Sequence, residues 1–414
     1  MMDSFLFDKA DLFLKHKVNA ALGLPWTIFW SPLSLLAHCE NIYFSLNYLE
    51  VRWLKKETLE SMYTTTVSEI NKASRAFKEA QHSYPQYKEP LVEFSQLISE
   101  TGLLVCLREE LISIYRTLTQ CRNPFVYEKC CEQLKRINDQ VPSGLNHKYF
   151  LNIKFNVRTE TSVLYHLLKT QVHLGNFDYT ESVFHLYIAK SELEQWKGRF
   201  TEITVGKDQE ALRPIRMGVF HWLYIFHRTL HSKLTFYFYD IFLKNETKFS
   251  GDMNSVCAQL ETNYYSIVEN FVNKSLCFSV CLVMDASSLI DKNLPSGIPN
   301  EGYQVEEQEP SQGLKCYPCI FKFPKVIQIN LHWPNLVSLI IDNYSELNNY
   351  KDPLYHYDKA LKFTYYYTKL DPRIILVVMF KGERKSKDQV TQEFLYILST
   401  HLRNWKVLNR LKPQ

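Results

Sequence analysis

Cys316-Tyr-Pro-Cys319 is the motif in this sequence with the plainest chemical meaning. Two thiols at this spacing can run redox exchange, or they can supply half of a tetrahedral zinc site. Redox use sets the pair at the start of a helix that follows a strand. Here Ile320-Phe321-Lys322-Phe323-Pro324 comes next and reads as extended chain. Zinc would need a second pair. Cys277 and Cys281 share one face of an expected strand, but side chains four residues apart along a strand are too far apart to chelate one ion. Two reduced cysteines near a sheet edge are therefore the favoured reading. A metal or thiol enzyme built on Cys316 and Cys319 is the alternative.

The histidines invite the same test. His227 and His231 stand at i, i+4, on one face of a helix. Their neighbours are Arg228, Leu230 and Lys233, with no carboxylate at hand, so packing or solvent contact is favoured over metal binding. His166 and His173, two turns apart, are read the same way. Cys130-Cys131 precedes Glu132, yet a nucleophile needs a base oriented by a third group, and none is placed by the sequence. The phosphate-loop, dinucleotide-binding, serine-hydrolase, zinc-protease and kinase signatures are absent. No catalytic, cofactor-binding or metal-ligating residue is expected. The basic run Lys381 to Lys387 reads as a solvated loop, with contact to membrane phosphate as its alternative. Phe236-Tyr237-Phe238-Tyr239 puts rings all round one helix, which marks a centrally buried helix.

The elements that must carry these residues are set by composition. The chain has 414 residues, 46% hydrophobic and 22% charged, which excludes wholesale disorder. Only 12 glycines occur, well under the usual ~7%. That disfavours folds built on phosphate loops and favours long helices. Lys+Arg at 48 against Asp+Glu at 44 gives a net charge of +4, without the clustered excess of a nucleic-acid binder. The first residues show no basic stretch ahead of an apolar run, so no secretory signal is expected. The ten cysteines then read as reduced thiols of a cytoplasmic protein. Pro25 and Pro32 interrupt the most apolar stretch, Leu24 to Ala37, so no transmembrane helix is expected there.

Residues 1–250 read as an all-helical bundle of long antiparallel helices. Leu35, Cys39, Ile42, Leu46, Leu49 and Trp53 step by four and three, as one apolar stripe does. Tyr63, Val67, Ile70 and Phe77 form another, and Ala189, Leu193, Trp196 and Phe200 a third. The grammar changes near residue 250. Residues 251–414 read as an α+β domain with a buried, mostly antiparallel sheet. Cys277 to Met284, Leu336 to Ile341 and Ile374 to Phe380 are short apolar runs suited to strands covered on both faces. Phe363 to Thr368 is a further strand, and Asp371-Pro372 a hairpin turn. A polar insertion near 286–313, with Glu306-Glu307-Gln308-Glu309, is expected to be flexible. A final helix carries Leu395, Leu398, Leu402 and Trp405.

Several stretches together resemble the KICSTOR subunit 2 family, a group of nutrient-signalling scaffold subunits. They are Leu33-Ser-Leu-Leu-Ala-His38, Ile42-Tyr43 and Ser45-Leu-Asn-Tyr-Leu49. Val163-Leu-Tyr-His-Leu-Leu-Lys-Thr-Gln171, Lys233-Leu234 with Phe236-Tyr237-Phe238, His332-Trp333-Pro334-Asn335 and Leu411-Lys412-Pro413 follow in the same order. The stretch before Leu33, the loop from Asp285 to Gly313 and the Cys316/Cys319 pair depart from the pattern. The resemblance implies a helical domain followed by an α/β domain, and a non-enzymatic role without cofactors. It implies a complex that holds the GATOR GTPase-activating assembly at the lysosomal membrane surface. There it restrains TOR complex 1 signalling on amino-acid or glucose starvation. The implied partners are the other KICSTOR subunits and GATOR components, with homodimerisation left open and no nucleic acid. The sheet domain is compared with roadblock or longin modules by architecture alone. His332, Trp333 and Pro334 are the candidate partner-binding residues, Trp333 lying in an expected loop before the Leu336 strand. The favoured alternative is that Trp333 fills the core or the domain junction while His332 and Pro334 shape the turn.

Overall fold

The computed structural model describes residues 24–49, 58–83, 85, 88–120, 123–204, 218–244, 252–287 and 313–411. Among the described residues the first elements are seven long helices: α1 (Leu24–Ser45), α2 (Leu59–Ser83), α3 (Lys88–Gln120), α4 (Val126–Gly144), α5 (Leu151–Gly175), α6 (Tyr179–Thr204) and α7 (Val219–Phe238). Sequence neighbours pack against each other, α1 on α2, α2 on α3, α4 on α5 and α5 on α6. In α2 the buried residues Leu59, Tyr63, Thr66, Ile70, Ala73, Phe77 and Ala80 keep the three-and-four spacing throughout. The stripe on α1 does not run on as a single helix. Leu46 takes a left-handed φ of 60° and ends it, and Asn47–Leu49 continues as a 3-10 turn that still buries Tyr48 and Leu49. Trp53 lies outside the described residues. Helix α7 is buried along most of its length and passes into a π turn at Tyr239–Leu243.

Two short helices, α8 (Met253–Ala258) and α9 (Tyr264–Ser275), lead into the sheet region. There follow β1 (Ser279–Met284), β2 (Cys319–Phe323), α10 (Trp333–Asp342), α11 (Tyr344–Leu347), β3 (Leu354–Asp358), β4 (Phe363–Asp371), β5 (Ile374–Lys381), α12 (Gln389–Leu402) and α13 (Trp405–Asn409). The five strands form one sheet in the order β2-β1-β5-β4-β3, every neighbour antiparallel. The chain is α+β, with a mostly helical N-terminal region and this sheet after it. The expected insertion, apart from its ends, lies outside the described residues, as does the polar stretch 245–251.

The apolar runs of β1 and β5 reflect cover on both faces. Val280, Leu282, Leu376 and Val378 point into the core shared with the helices. Cys281, Val283, Ile375 and Val377 alternate with them and meet Leu336, Val337 and Ile340 of α10 on the other side. The stretch Leu336–Ile341, expected as a strand, is thus a helix that covers the sheet. Pro334 sits in its first turn, where a missing N–H costs nothing. Leu336, Val337 and Ile340 are buried while Ser338 and Ile341 are exposed, a helical spacing within six residues.

The helical and sheet regions share one continuous core, from Phe29 to Leu411. A buried polar cluster ties them. Lys233 Nζ of α7 lies 2.7 Å from Asp371 Oδ2 at the end of β4, and both side chains are shielded from solvent. Tyr237 donates to the same carboxylate at 2.6 Å, and Gln171 of α5 donates to its other oxygen at 2.9 Å. Lys233 also donates to the Leu402 carbonyl at 2.7 Å. Beside this cluster Arg373 N donates to the Gly175 carbonyl, so the β4–β5 turn rests on the tip of α5. A Cβ on Gly175 would stand 3.0 Å from Pro372, which accounts for glycine at this contact.

Candidate functional site

The segment His332-Trp333-Pro334 splits into three environments. His332 is buried, with Nδ1 2.9 Å from the Tyr365 hydroxyl and its ring centroid 4.0 Å from that of Phe363. Burial pulls its pKa below the usual value. It is packed into the sheet face as part of the core beneath α10. Trp333 opens α10 rather than sitting in a loop, because Leu336 N already accepts its place in the helix by donating to the His332 carbonyl. The indole is half-buried and lines a surface groove of about 560 Å³ with Cys319, Phe321, Lys322, Lys325 and Asp240. Pro334 and Asn335 face solvent, and Asn335 donates to Asp358 at 2.5 Å. On the loop just before, Val326 and Leu331 are 88% and 72% exposed. An aromatic wall beside two exposed aliphatic side chains suits recognition of another protein surface.

Cys316 and Cys319 lie on different elements. Cys316 ends a 3-10 turn at Gly313–Cys316, and burial pushes its thiol pKa up. Cys319 opens β2, as the expected extended chain after it requires. The thiol that hydrogen-bonds to it is that of Cys281 on β1. Val283 pairs with Cys319 across the ladder, which brings Cys281, two residues away on the same face, onto a diagonal with it. That hydrogen bond holds the Cys319 thiol below its ordinary value, and the same bond raises Cys281. The described cysteines are unbridged thiols. Sequence spacing missed this pairing because it depends on which strands are neighbours.

His227 and His231 do share one helical face. Burial lowers both, His227 to about 4, and the surrounding charges, Lys190 and Arg228, are positive. Among the described residues no carboxylate joins that pair to make a group of three ligands. His166 and His173 fare differently, because α6 brings a third imidazole between them. His166 Nδ1 lies 2.7 Å from His185 Nδ1, and the His173 and His185 rings stack with centroids 5.4 Å apart. Asp178 stands 3.2 Å from His173 Nδ1, and Glu181 Oε2 stands 3.7 Å from His185 Nε2. Burial, then His166, holds the His185 ring neutral, with a pKa of about 4. Among the described residues, His173, Glu181 and His185 are the group of three or more potential ligands that come together.

The helical region also hides an ionic cluster that spacing alone did not flag. Arg108 of α3 binds Glu40 of α1 through both carboxylate oxygens, Nε to Oε1 at 2.9 Å and Nη2 to Oε2 at 2.9 Å. Its Nη1 reaches Glu160 Oε2 of α5 at 2.7 Å. All three side chains are essentially shielded from solvent. Tyr63 donates to Glu40 at 3.0 Å and Tyr115 to Glu160 at 2.9 Å, and Tyr43 also donates to Glu160. Two carboxylates against one guanidinium leave excess negative charge, which the three phenolic hydroxyls help to offset. A signal did exist: Arg108 stands between Leu104 and Leu111 on the apolar stripe of α3, and Glu160 stands between Val157 and Leu164 on that of α5. Charges at core positions imply buried partners. Each group here is saturated by protein, so the cluster fixes helix packing rather than presenting a reactive atom.

A family model described as "KICSTOR complex C12orf66 like" matches residues 1–414. A Xenopus laevis protein named "KICSTOR subunit 2" is 24% identical over 431 residues, covering 100% of this chain and 94% of the relative. A Danio rerio protein of the same name is 24% identical over 429 residues, covering 99% of this chain and 93% of the relative.

Proposed function

We propose, for a chain that belongs to the KICSTOR complex C12orf66-like family, the role of a non-enzymatic scaffold subunit. Its partners are the other subunits of a KICSTOR-type complex and, through them, GATOR components at the lysosomal membrane surface. In that place it helps restrain TOR complex 1 signalling when amino acids or glucose run short. The observation that carries this reading is the extent of the match. The family model and both relatives run across the helical and the sheet regions alike, so each region has a counterpart in the family.

The physics of the interior supports a scaffold. The deeply buried charges at Arg108 and at Lys233–Asp371 are engaged with one another and hold helices and sheet in fixed register. A surface presented by such a frame needs little ordering on binding, which reduces the entropic cost of association. No helix of the described residues is long and apolar enough to cross a membrane. In this reading the subunit meets the lysosome peripherally, through the complex. We divide the chain at residue 250 into a helical unit, 1–250, and a sheet unit, 251–414, the latter comparable in architecture to roadblock or longin modules.

Trp333 is the anchor we assign to a partner interface, with Pro334 and Leu331 beside it and His332 packed underneath as its support. Half-exposed tryptophans beside exposed aliphatics dominate binding when a partner seals them from water. The test is removal of the gene from the native cells, followed by measurement of TOR complex 1 substrate phosphorylation during amino-acid withdrawal. Signalling should persist through starvation without the protein and fall again when the wild-type chain is restored. Trp333→Ala should fail to restore it while accumulating to the same level. Normal shut-off in the absence of the protein would defeat the scaffold reading.

A further inference from the structure

The hairpin of α5 and α6 assembles a group that the scaffold role does not use. His173 lies near the end of α5, and Glu181 and His185 lie at i, i+4 on the first turns of α6, so all three face one another across the helix pair. One potential ligand atom from each lies within 4.8 Å of the others. Two nitrogens bound at about 2.1 Å to one tetrahedral zinc ion stand about 3.4 Å apart. Glu181 Oε2 and His185 Nε2, 3.7 Å apart, are already close to that spacing. A separation at the 4.8 Å limit would have to close by about 1.4 Å, which is within the reach of side-chain torsions at a half-exposed site.

The outer partners point the same way. Asp178 caps the start of α6 through Oδ1, which accepts from Glu181 N, and its Oδ2 stands 3.2 Å from His173 Nδ1. A carboxylate on Nδ1 fixes the tautomer that leaves Nε2 with its lone pair, as in carboxylate–histidine–metal arrangements. His166 Nδ1, 2.7 Å from His185 Nδ1, does the same for the second imidazole when His185 donates its proton to it. The rings are held by neighbours, His185 against Phe184 and His166 against Tyr165. Two imidazoles and one carboxylate, each half-buried or exposed, make a three-ligand set with room for water in a fourth position.

We propose that His173, Glu181 and His185 form a binding site for a divalent transition-metal ion of the zinc type, with Asp178 and His166 orienting the two imidazoles. The ion clamps the N-terminal turns of α6 to the end of α5 at the corner where that hairpin approaches the β4–β5 turn. Soft-cation selectivity follows from the imidazoles, which favour zinc over magnesium or calcium.

The experiment is calorimetric titration of the tag-free, chelator-treated full chain with zinc chloride at neutral pH, followed by cobalt substitution read by visible absorption. The expected result is saturable binding of one ion per chain, with the cobalt form showing the absorption of a low-coordinate centre. Glu181→Gln, at an exposed position, should weaken binding without altering the circular dichroism spectrum. His173→Ala and His185→Ala should abolish saturable binding, and Asp178→Asn should cost roughly 10–100-fold in affinity. Absence of one-to-one binding by the wild-type chain would overturn the proposal. So would binding that survives Glu181→Gln and His173→Ala unchanged.

Discussion

Replacing Arg108 by methionine should be among the most damaging single changes in the helical region. Arg108 donates to Glu40 through Nε and Nη2 and to Glu160 through Nη1, all within a region shielded from solvent. Methionine fills much of the same volume, so the loss is electrostatic rather than a cavity. Two carboxylates would be left facing each other with only Tyr43, Tyr63 and Tyr115 as donors. Breaking a buried pair by removing one partner costs about 3–5 kcal/mol. Against a total stability of about 5–15 kcal/mol, that is at least about a fifth of what holds the fold. With a urea slope of about 3 kcal/mol/M, the midpoint should fall by about 1–1.7 M. Equilibrium urea unfolding followed by tryptophan fluorescence and circular dichroism reads it. A companion variant makes the sign diagnostic: Arg108→Met with Glu40→Met and Glu160→Met should recover part of the loss, because no charge then stays buried. A single-variant cost below about 1 kcal/mol, or a triple variant worse than the single, would refute the assignment of the cluster as a saturated structural unit.

Three further outcomes follow from named contacts. Lys233→Met leaves Asp371 buried without its cation and should cost about 3 kcal/mol or more, seen as a lowered urea midpoint with loosening at the helix–sheet junction in hydrogen exchange. Gly175→Val sets side-chain carbons against Pro372 and should cost about 1–3 kcal/mol by the same urea measurement. His227 is held neutral by burial, with His231, Lys190 and Arg228 adding to the effect, at a pKa of about 4 against 6.5 when unfolded. Between those values the unfolded chain takes up a proton that the folded chain refuses. Stability contributed by the neutral ring is therefore complete above pH 6.5, is lost as pH falls toward 4, and changes little below that. In His227→Gln the stability curve over that window should be shallower, and an unchanged slope would count against the burial argument.

Much of the architecture was legible because it rests on local periodicity. The stripe from Tyr63 to Phe77 and the apolar run from Ile374 to Phe380 each report burial directly, and both elements stand where the spacing put them. The strand expected at Leu336–Ile341 shows where a short apolar run misleads. Five or six residues fit a strand and a helix equally well until the flanking residues arbitrate, and Pro334 in a first turn was that arbiter. The candidate site was legible only in part. The extended chain after Cys319 followed from local sequence, whereas the loop expected at Trp333 is the first turn of α10. The Cys281–Cys319 contact and the meeting of His173 with His185 depend on which strands and helices are neighbours. Spacing along one element carries no such information. Arg108 with Glu160 lies between these cases, since a charge on an apolar stripe announces a buried partner without naming it.

The most direct test of the scaffold role is affinity purification of the tagged chain from its native cells, fed and starved, read by quantitative mass spectrometry. The expected result is recovery of the other KICSTOR subunits at near-equal stoichiometry, with GATOR components alongside. The chain purifying alone from both conditions, folded and at normal abundance, would contradict it.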